Sequence, residues 1–160
     1  MRHSPVMPAQ CETTTACTSP LCKSPKDYQA YRISADATNR LALVFDPTVA
    51  EVSLTYCIEI FDEGGQTYPH RHQTAAELFF VLKGKGKALC ESESFSIQTG
   101  DSILMPPNKL HAIENVGAGR LYTLCVMVPD ENFAELIRSG IPVELDEEDM
   151  AVLKRIDLLF

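Results

Sequence analysis

The sequence predicts an all-β fold, an antiparallel sandwich or barrel with two short helices at its C-terminal end. From about residue 28 to residue 128 the chain consists of short apolar or alternating segments, separated by turn-forming stretches such as 62–65 and 83–86. Many short strands at close, even spacing favour such an architecture. The 160 residues suffice for one well-buried core and are too few for two ordinary domains. No internal repeat divides the sequence, which predicts one barrel and not two.

Eight predicted strands follow one another within this region. They lie at residues 41–45, 51–61, 77–82, 87–91, 95–97, 102–105, 111–115 and 121–128. Most are rich in β-branched, aromatic or other apolar residues and are bounded by turn signals. We therefore predict that residues 28–128 form the barrel.

The two flanks differ from the barrel in composition and period. Residues 1–27 are rich in Ser, Thr and Pro without periodicity, which predicts an N-terminal extension held against the barrel or a neighbouring subunit.

Residues 129–160 change to a helical period. Asp130 is predicted to cap a first helix that ends near Gly140, and Asp146 to begin a second. Their apolar faces carry Phe133, Leu136 and Ile137, and Met150, Leu153 and Ile156, respectively.

The first turn of the second predicted helix is strongly acidic. Glu147, Glu148 and Asp149 follow Asp146 directly. Acidic side chains at a helix N-terminus interact favourably with the helix dipole. We interpret this turn as a solvated helix start and not as a binding surface.

The charge balance disfavours several classes of partner. Asp and Glu outnumber Lys and Arg by 22 to 14, which gives a net charge of -8. Such a chain repels polyanions at long range, so nucleic acid is not an expected partner.

No segment approaches the roughly 18 apolar residues of a membrane span, and no secretion signal is apparent. We expect a cytoplasmic protein without a membrane partner, in which the six cysteines are reduced thiols.

Three of the four histidines lie in two short windows whose residue types suit a metal site. His70 and His72 are two residues apart, so on a strand both imidazoles would project from one face. Glu77 begins an otherwise apolar strand face, where a carboxylate is costly unless it is paired or coordinated. His111 begins another predicted strand. Three nitrogens and one oxygen suit borderline divalent ions and leave coordination positions open to a small molecule.

The spacing of these residues resembles the two motifs of the cupin superfamily, of the small single-domain cupin 2 type. The first, G-x5-H-x-H-x4-E-x6-G, is met by Gly64, His70, His72, Glu77 and Gly84. The second, G-x5-P-x-G-x2-H-x3-N, is met by Gly100, Pro106, His111 and Asn115, with Asn108 in place of its usual glycine. Asn tolerates positive φ best after Gly, so the turn can be retained.

The resemblance covers about residues 40–128 and implies a double-stranded β-helix, or jelly roll. It also implies one divalent metal ion (iron, manganese, zinc or nickel) inside the barrel, bound by His70, His72, Glu77 and His111, with a small molecule entering at the barrel mouth. The superfamily includes dioxygenases, decarboxylases, isomerases, lyases and proteins that only bind ligands, so the fold does not choose a reaction.

Two functions therefore stay open. The first is a metal-dependent cupin that acts on a small molecule, with an iron- or manganese-type dioxygenase favoured. The alternative is a non-catalytic module that binds a small ligand or a metal. Tyr56, Glu59, Tyr68 and Tyr122 are candidate acids or bases, but the sequence does not assign them to the barrel interior, so no catalytic residue is predicted.

The exposed sheet edges of a single barrel predict self-association. We expect a homodimer in which the N-terminal extension or the first strand lies on the partner's sheet.

Overall fold

A computed structural model describes residues 19–155, which fold into two antiparallel sheets and three short helices. The strands are β1 (Gln29–Arg32), β2 (Asn39–Phe45), β3 (Thr55–Phe61), β4 (Ala76–Lys83), β5 (Lys85–Cys90), β6 (Glu93–Gln98), β7 (Ser102–Met105), β8 (His111–Asn115), β9 (Leu121–Val128) and β10 (Ile141–Val143). The helices are α1 (Pro47–Ala50), α2 (Phe133–Arg138) and α3 (Glu147–Lys154). The larger sheet has the order β10-β1-β2-β3-β9-β4-β7, and the smaller has the order β6-β5-β8.

The main core lies between the two sheets. Leu41, Phe61 and Phe79 of the larger sheet pack in one buried cluster with Ala88 and Ile113 of the smaller sheet. The alternation of a strand sends its successive side chains to opposite faces, so each strand contributes every second residue to this core. The predicted jelly roll is confirmed, but the two sheets are not joined into one closed barrel by strand pairing among the described residues.

A second core lies on the outer face of the larger sheet. Ile58, Ile60 and Tyr122 point outwards from β3 and β9 and pack with Val152 and Leu153 of α3. Helix α3 covers the part of the larger sheet in which β2, β3 and β9 lie side by side. Both faces of β3 are therefore largely buried.

The interpretation of the acidic turn as solvated is wrong for Asp149. Its side chain is fully buried and accepts two hydrogen bonds from Arg40 Nη2, at 2.8 and 2.9 Å, and one from Tyr122 Oη at 2.9 Å. Asp146 does begin α3, with a capping box that pairs its side chain with Asp149. The turn thus anchors α3 to the sheet.

The helix and strand predictions hold with local differences. Asp130 caps the start of α2 through a hydrogen bond from Ala134 N, although the helix itself begins at Phe133. The predicted strand at 51–61 begins only at Thr55, since Asp46 caps the short helix α1 before it. Strands β1 and β10 were not predicted. Residues 1–18 of the predicted N-terminal extension and Ile156 of the second predicted helix lie outside the described residues.

Among residues 19–155, none of the helices combines the length and the apolar character needed to cross a lipid bilayer.

Candidate metal centre

Two strands and one loop bring the four predicted ligands together. Glu77 points inwards from β4, on the same buried face as Phe79 and Val81. His111 is the first residue of β8. His70 and His72 do not lie on a regular strand, as the sequence suggested. Instead His70 forms an isolated antiparallel bridge with His111, through N–O hydrogen bonds of 3.0 and 2.9 Å.

The second motif also fixes the backbone of His72. Asn108 N donates to His72 O at 2.6 Å, and Asn108 has a φ of 60°. The prediction that Asn replaces the motif glycine at a positive φ is therefore confirmed. The turn that leads into His111 thus holds the loop that carries His72.

The ligand atoms converge on one carboxylate oxygen. Glu77 Oε2 lies 3.0 Å from His111 Nε2, 3.3 Å from His72 Nε2 and 3.8 Å from His70 Nε2. Two donors that are each about 2.1 Å from a shared ion, at about 90–130° to one another, lie about 3.0–3.8 Å apart. The four ligand atoms also lie within 4.8 Å of one another. The cluster can therefore hold a metal ion.

Hydrogen bonds of the other ring nitrogens orient two of the imidazoles. A backbone carbonyl can only accept, so Nδ1–H of His70 donates to Tyr68 O and Nδ1–H of His111 donates to Lys109 O, each at 2.8 Å. With Nδ1–H engaged in this way, the Nε2 atom of each of these rings donates to Glu77 Oε2 only when the ring is doubly protonated. A divalent cation bound among these atoms would take the place of the Nε2 protons.

The carboxylate itself is held in its ionised form. Burial disfavours the charge on Glu77, but hydrogen bonds from His111, His70, His72 and the thiol of Cys125 outweigh this effect and hold the pKa of Glu77 well below its usual range. The Cys125 Sγ–H donates to Glu77 Oε1 at 3.1 Å, which leaves Oε2 for the imidazoles. A negatively charged, oriented oxygen is what a divalent cation requires.

A cavity of about 240 Å³ opens beside the cluster. His70, His72 and Glu77 form part of its wall, and Phe133 and Leu136 of α2 form another part. Ligand sites are typically apolar cavities with a few convergent polar groups. This cavity has that character, because its remaining wall combines the aliphatic or aromatic Ile33, Ala37, Leu41 and Tyr68 with a few polar side chains.

The buried carboxyl of Glu59 lies in the wall of the same cavity. Asn39 Nδ2 donates to Glu59 Oε1 at 2.6 Å, and Glu59 Oε2 accepts no hydrogen bond from the described residues. Burial, reinforced by the nearby charge of Glu77, raises the pKa of Glu59 to about 8. Glu59 is thus largely protonated at neutral pH in the metal-free protein.

The other candidate acids and bases are less suited to that role. Tyr68 lies at the exposed rim of the cavity and donates to Asp36 Oδ2 at 2.8 Å. Tyr56 and Tyr122 belong to the core on the outer face of the larger sheet, away from the ligand cluster. Of the four, only Glu59 and Tyr68 line the cavity.

No local pattern in the sequence marks Asn39 or Phe133 as a cavity residue. Asn39 is the first residue of β2, and its contact with Glu59 depends on the pairing of β2 with β3. The Phe133 ring lies 6.1 Å from the His72 ring, centroid to centroid, in an edge-on arrangement. Both placements follow from long-range topology, which local patterns do not contain.

Comparisons with known proteins agree with this fold. Residues 57–127 match the family model of the cupin domain. The uncharacterized protein MJ1618 of Methanocaldococcus jannaschii is 38% identical over 66 residues, which cover 41% of this chain and 53% of that protein. This chain thus spans about half the length of the curated relative it matches.

Two solved structures have a similar fold. A predicted oxalate decarboxylase from Thermotoga maritima superposes with a TM-score of 0.62 at 19% identity, covering 68% of this chain and 99% of its own. An oxalate oxidase in complex with the substrate analogue glycolate gives a TM-score of 0.54 at 19% identity, covering 62% and 55%. The jelly roll, the two motifs and the family match agree with one another, so residues 57–127 of this chain are a cupin domain.

Proposed function

We propose that this chain is a metal-dependent cupin that binds one divalent ion through His70, His72, Glu77 and His111 and acts on a small oxygen-bearing molecule. The observation that carries the proposal is the convergence of three Nε2 atoms on Glu77 Oε2 at the wall of a cavity. The donor set suits iron, manganese, zinc or nickel, and four protein donors leave positions open on an ion that prefers six.

The size of the cavity favours a small substrate. Pockets for drug-sized ligands occupy about 300–1,000 Å³, and this cavity of about 240 Å³ is smaller. Small hydroxy, keto or dicarboxylic acids can chelate a metal through two oxygens and fit such a volume. The names of the two structural neighbours, which refer to oxalate and glycolate, support the same class of compound.

Within this proposal the chain's own residues bind the substrate and hold a proton. When bound, the ion supplies Lewis-acid polarisation and, if it is redox-active, electron transfer. Glu59 Oε2 presents the carboxyl to the cavity, while Asn39 fixes the rotation of the group through Oε1. Phe133 and Leu136 exclude water from one side of the substrate. A dioxygenase-type reaction is the first chemistry we expect, and the alternative is a binding module without catalysis.

The metal site is tested by elemental analysis of chelator-treated protein that is reloaded with cobalt(II), iron(II) or manganese(II). We expect one ion per chain in the wild type and none in His72→Ala or His111→Ala, because each variant removes one of four donors. Far-UV circular dichroism should stay unchanged, since the core consists mainly of apolar strand faces. Undiminished metal in either variant would remove this site from the proposal.

The open coordination positions are tested by absorption titrations of the cobalt form with glycolate, oxalate and azide. A spectral change that saturates indicates an exogenous ligand on the ion. Oxygen consumption by the iron form with the same acids then separates the dioxygenase from the binding module. A spectrum that responds to none of these anions would contradict a substrate site at the metal.

A further inference from the structure

The carboxylate of Glu131 holds the loop that joins two of the proposed ligands. Four residues, 73–76, separate His72 from Glu77. Glu131 Oε2 accepts from Gln73 N at 3.0 Å, and Glu131 Oε1 accepts from Ala75 N at 2.8 Å and from both N and Oγ1 of Thr74. One side chain thus binds three consecutive backbone N–H groups and a hydroxyl.

Three successive N–H groups that face one side form a concave site for an anion. The loop 73–75 uses the side chain of Glu131 as that anion. The strength of the contact is reflected in the pKa of Glu131, which the hydrogen bonds from Thr74, Ala75 and Gln73 lower to about 2. The N–H groups of the loop 73–75 therefore donate to a residue that lies outside the loop.

The backbone of Glu131 is in turn fixed at the start of α2. Glu131 and Asn132 both have positive φ, 47° and 64°, a left-handed conformation that is unfavourable for most residues with a side chain. Just before them, Asp130 accepts from Ala134 N at 3.1 Å and from Thr55 Oγ1 of β3. Such strain persists where surrounding contacts hold it in place, and here it directs Glu131 towards the loop.

The same segment reaches the ligands and the cavity. Phe133 follows two residues after Glu131, and its ring contacts that of His72 edge-on. Phe133 and Leu136 also line the cavity. A movement of α2 would therefore displace the cavity wall and the loop between His72 and Glu77 together.

We propose that Glu131 is a positioning residue of the metal centre, which sets the placement of His72 relative to Glu77 and couples it to α2. This inference rests on the proposed metal site. Glu131 does not touch the metal cluster itself, so its effect is transmitted by the loop 73–75. Residues that orient metal ligands from outside typically change metal affinity about 10–100-fold when they are replaced.

The test measures cobalt(II) affinity and the visible spectrum of the cobalt form in three variants of the full chain. Glu131→Gln retains the shape of the side chain but places an amide NH₂ against N–H donors, and Glu131→Asp retains the charge on a shorter stem. We expect about a tenfold or greater loss of cobalt affinity in Glu131→Gln, an altered d–d spectrum and partial recovery in Glu131→Asp. Glu135→Gln, an exposed glutamate on α2, should match the wild type.

A fourth variant separates positioning from general stability. Arg138→Ala removes the ion pair between Arg138 and Asp46 at the other end of α2, so it should lower the melting temperature without changing the cobalt spectrum. An equal loss of affinity in Arg138→Ala and Glu131→Gln would overturn the inference, as would unchanged affinity and spectrum in Glu131→Gln. A wild-type chain that binds no cobalt would instead refute the metal site, which the inference presupposes.

Discussion

The buried carboxyl of Glu59 links the stability of the metal-free protein to pH. Its pKa is raised from 4.5 to about 8 by burial and by the charge of Glu77. At a pH between these two pKa values, Glu59 has lost its proton in the unfolded chain but retains it in the folded protein. The folded state is therefore stabilised by acid in this window, and its stability falls as the pH rises from about 4.5 towards 8.

Replacement of Glu59 by glutamine should remove this dependence. Gln cannot ionise, so the free energy of unfolding of Glu59→Gln should not fall with pH as that of the wild type does. In chelator-treated protein, the stability of Glu59→Gln relative to the wild type should therefore increase by on the order of 3 kcal/mol from pH 5 to pH 8. Urea unfolding at both pH values measures the difference. The exposed Glu144→Gln serves as control. A Glu59→Gln advantage that is the same at both pH values would show that the carboxyl does not titrate in this window.

The four ligands could be predicted from spacing, but the role of Glu59 could not. The motif residues are recognised by their intervals along the chain. Asn108 is recognised by the positive φ that its turn requires. On β3, by contrast, Cys57 and Glu59 point inwards while Ile58 and Ile60 point outwards, and all four are buried. Since both faces of this strand are buried, alternation along the strand carries no signal for which side chains enter the cavity.

At the level of secondary structure, each of the eight predicted strands overlaps an observed strand, and the two strands that were missed have only three and four residues. The unpredicted β10 spans three residues and contains Pro142, and it lies at the edge of the larger sheet, where proline is tolerated. The unpredicted β1 pairs with both β2 and β10 although its sequence, Gln-Ala-Tyr-Arg, is mixed. Pairing partners far along the chain stabilise both strands, and propensity alone is too weak to reveal them.

The anchor of α3 gives a prediction at the same level. Asp149 is fully buried, and Arg40, whose Nη2 contacts both of its carboxylate oxygens, has only 6% of its side chain exposed. Without Asp149, Arg40 retains only its ion pair with the more exposed Asp62, and the loss of one partner of a buried ion pair costs about 3–5 kcal/mol. We expect Asp149→Ala to lower the free energy of unfolding by about that amount, as measured by urea denaturation.

The neighbouring Glu147 is the matched control for this variant. It belongs to the same acidic turn but is exposed, so Glu147→Ala should change stability by less than about 0.5 kcal/mol. Equal effects of the two substitutions would mean that the turn acts only through the helix dipole, as the sequence alone suggested.

At the scale of the whole molecule, the outer face of the larger sheet is only partly covered. The core under α3 extends over β2, β3 and the beginning of β9, whereas the outer face of β4, β7 and the end of β9 lies open. We call this open region the β4–β7 face. It consists of Leu78, Phe80, Leu104, Leu124, Val126 and Val128. Leu104 is 57% exposed and Val128 is 45% exposed, and a contiguous apolar patch of this kind marks an interaction surface in soluble proteins.

We propose that the β4–β7 face packs against the same face of a second copy. The six residues carry no charge, so two copies of a chain with a net charge of -8 can meet there without opposing carboxylates. Strand β7 is also an edge of the sheet, and edges favour self-association. The alternative, in which the first strand clasps the partner, is unsupported because β1 pairs on both sides within its own chain.

The dimer is tested by sedimentation velocity at micromolar concentration. The wild type should sediment with twice the 17.7 kDa chain mass. Leu104→Glu should shift the protein to the monomer, because it places two like charges in an apolar interface, where each is costly to desolvate. Val116→Glu provides the control, since Val116 is 60% exposed but lies outside the β4–β7 face. If Leu104→Glu stays dimeric while its circular dichroism matches the wild type, this face is not the interface, and a wild type that is monomeric at these concentrations would contradict self-association itself.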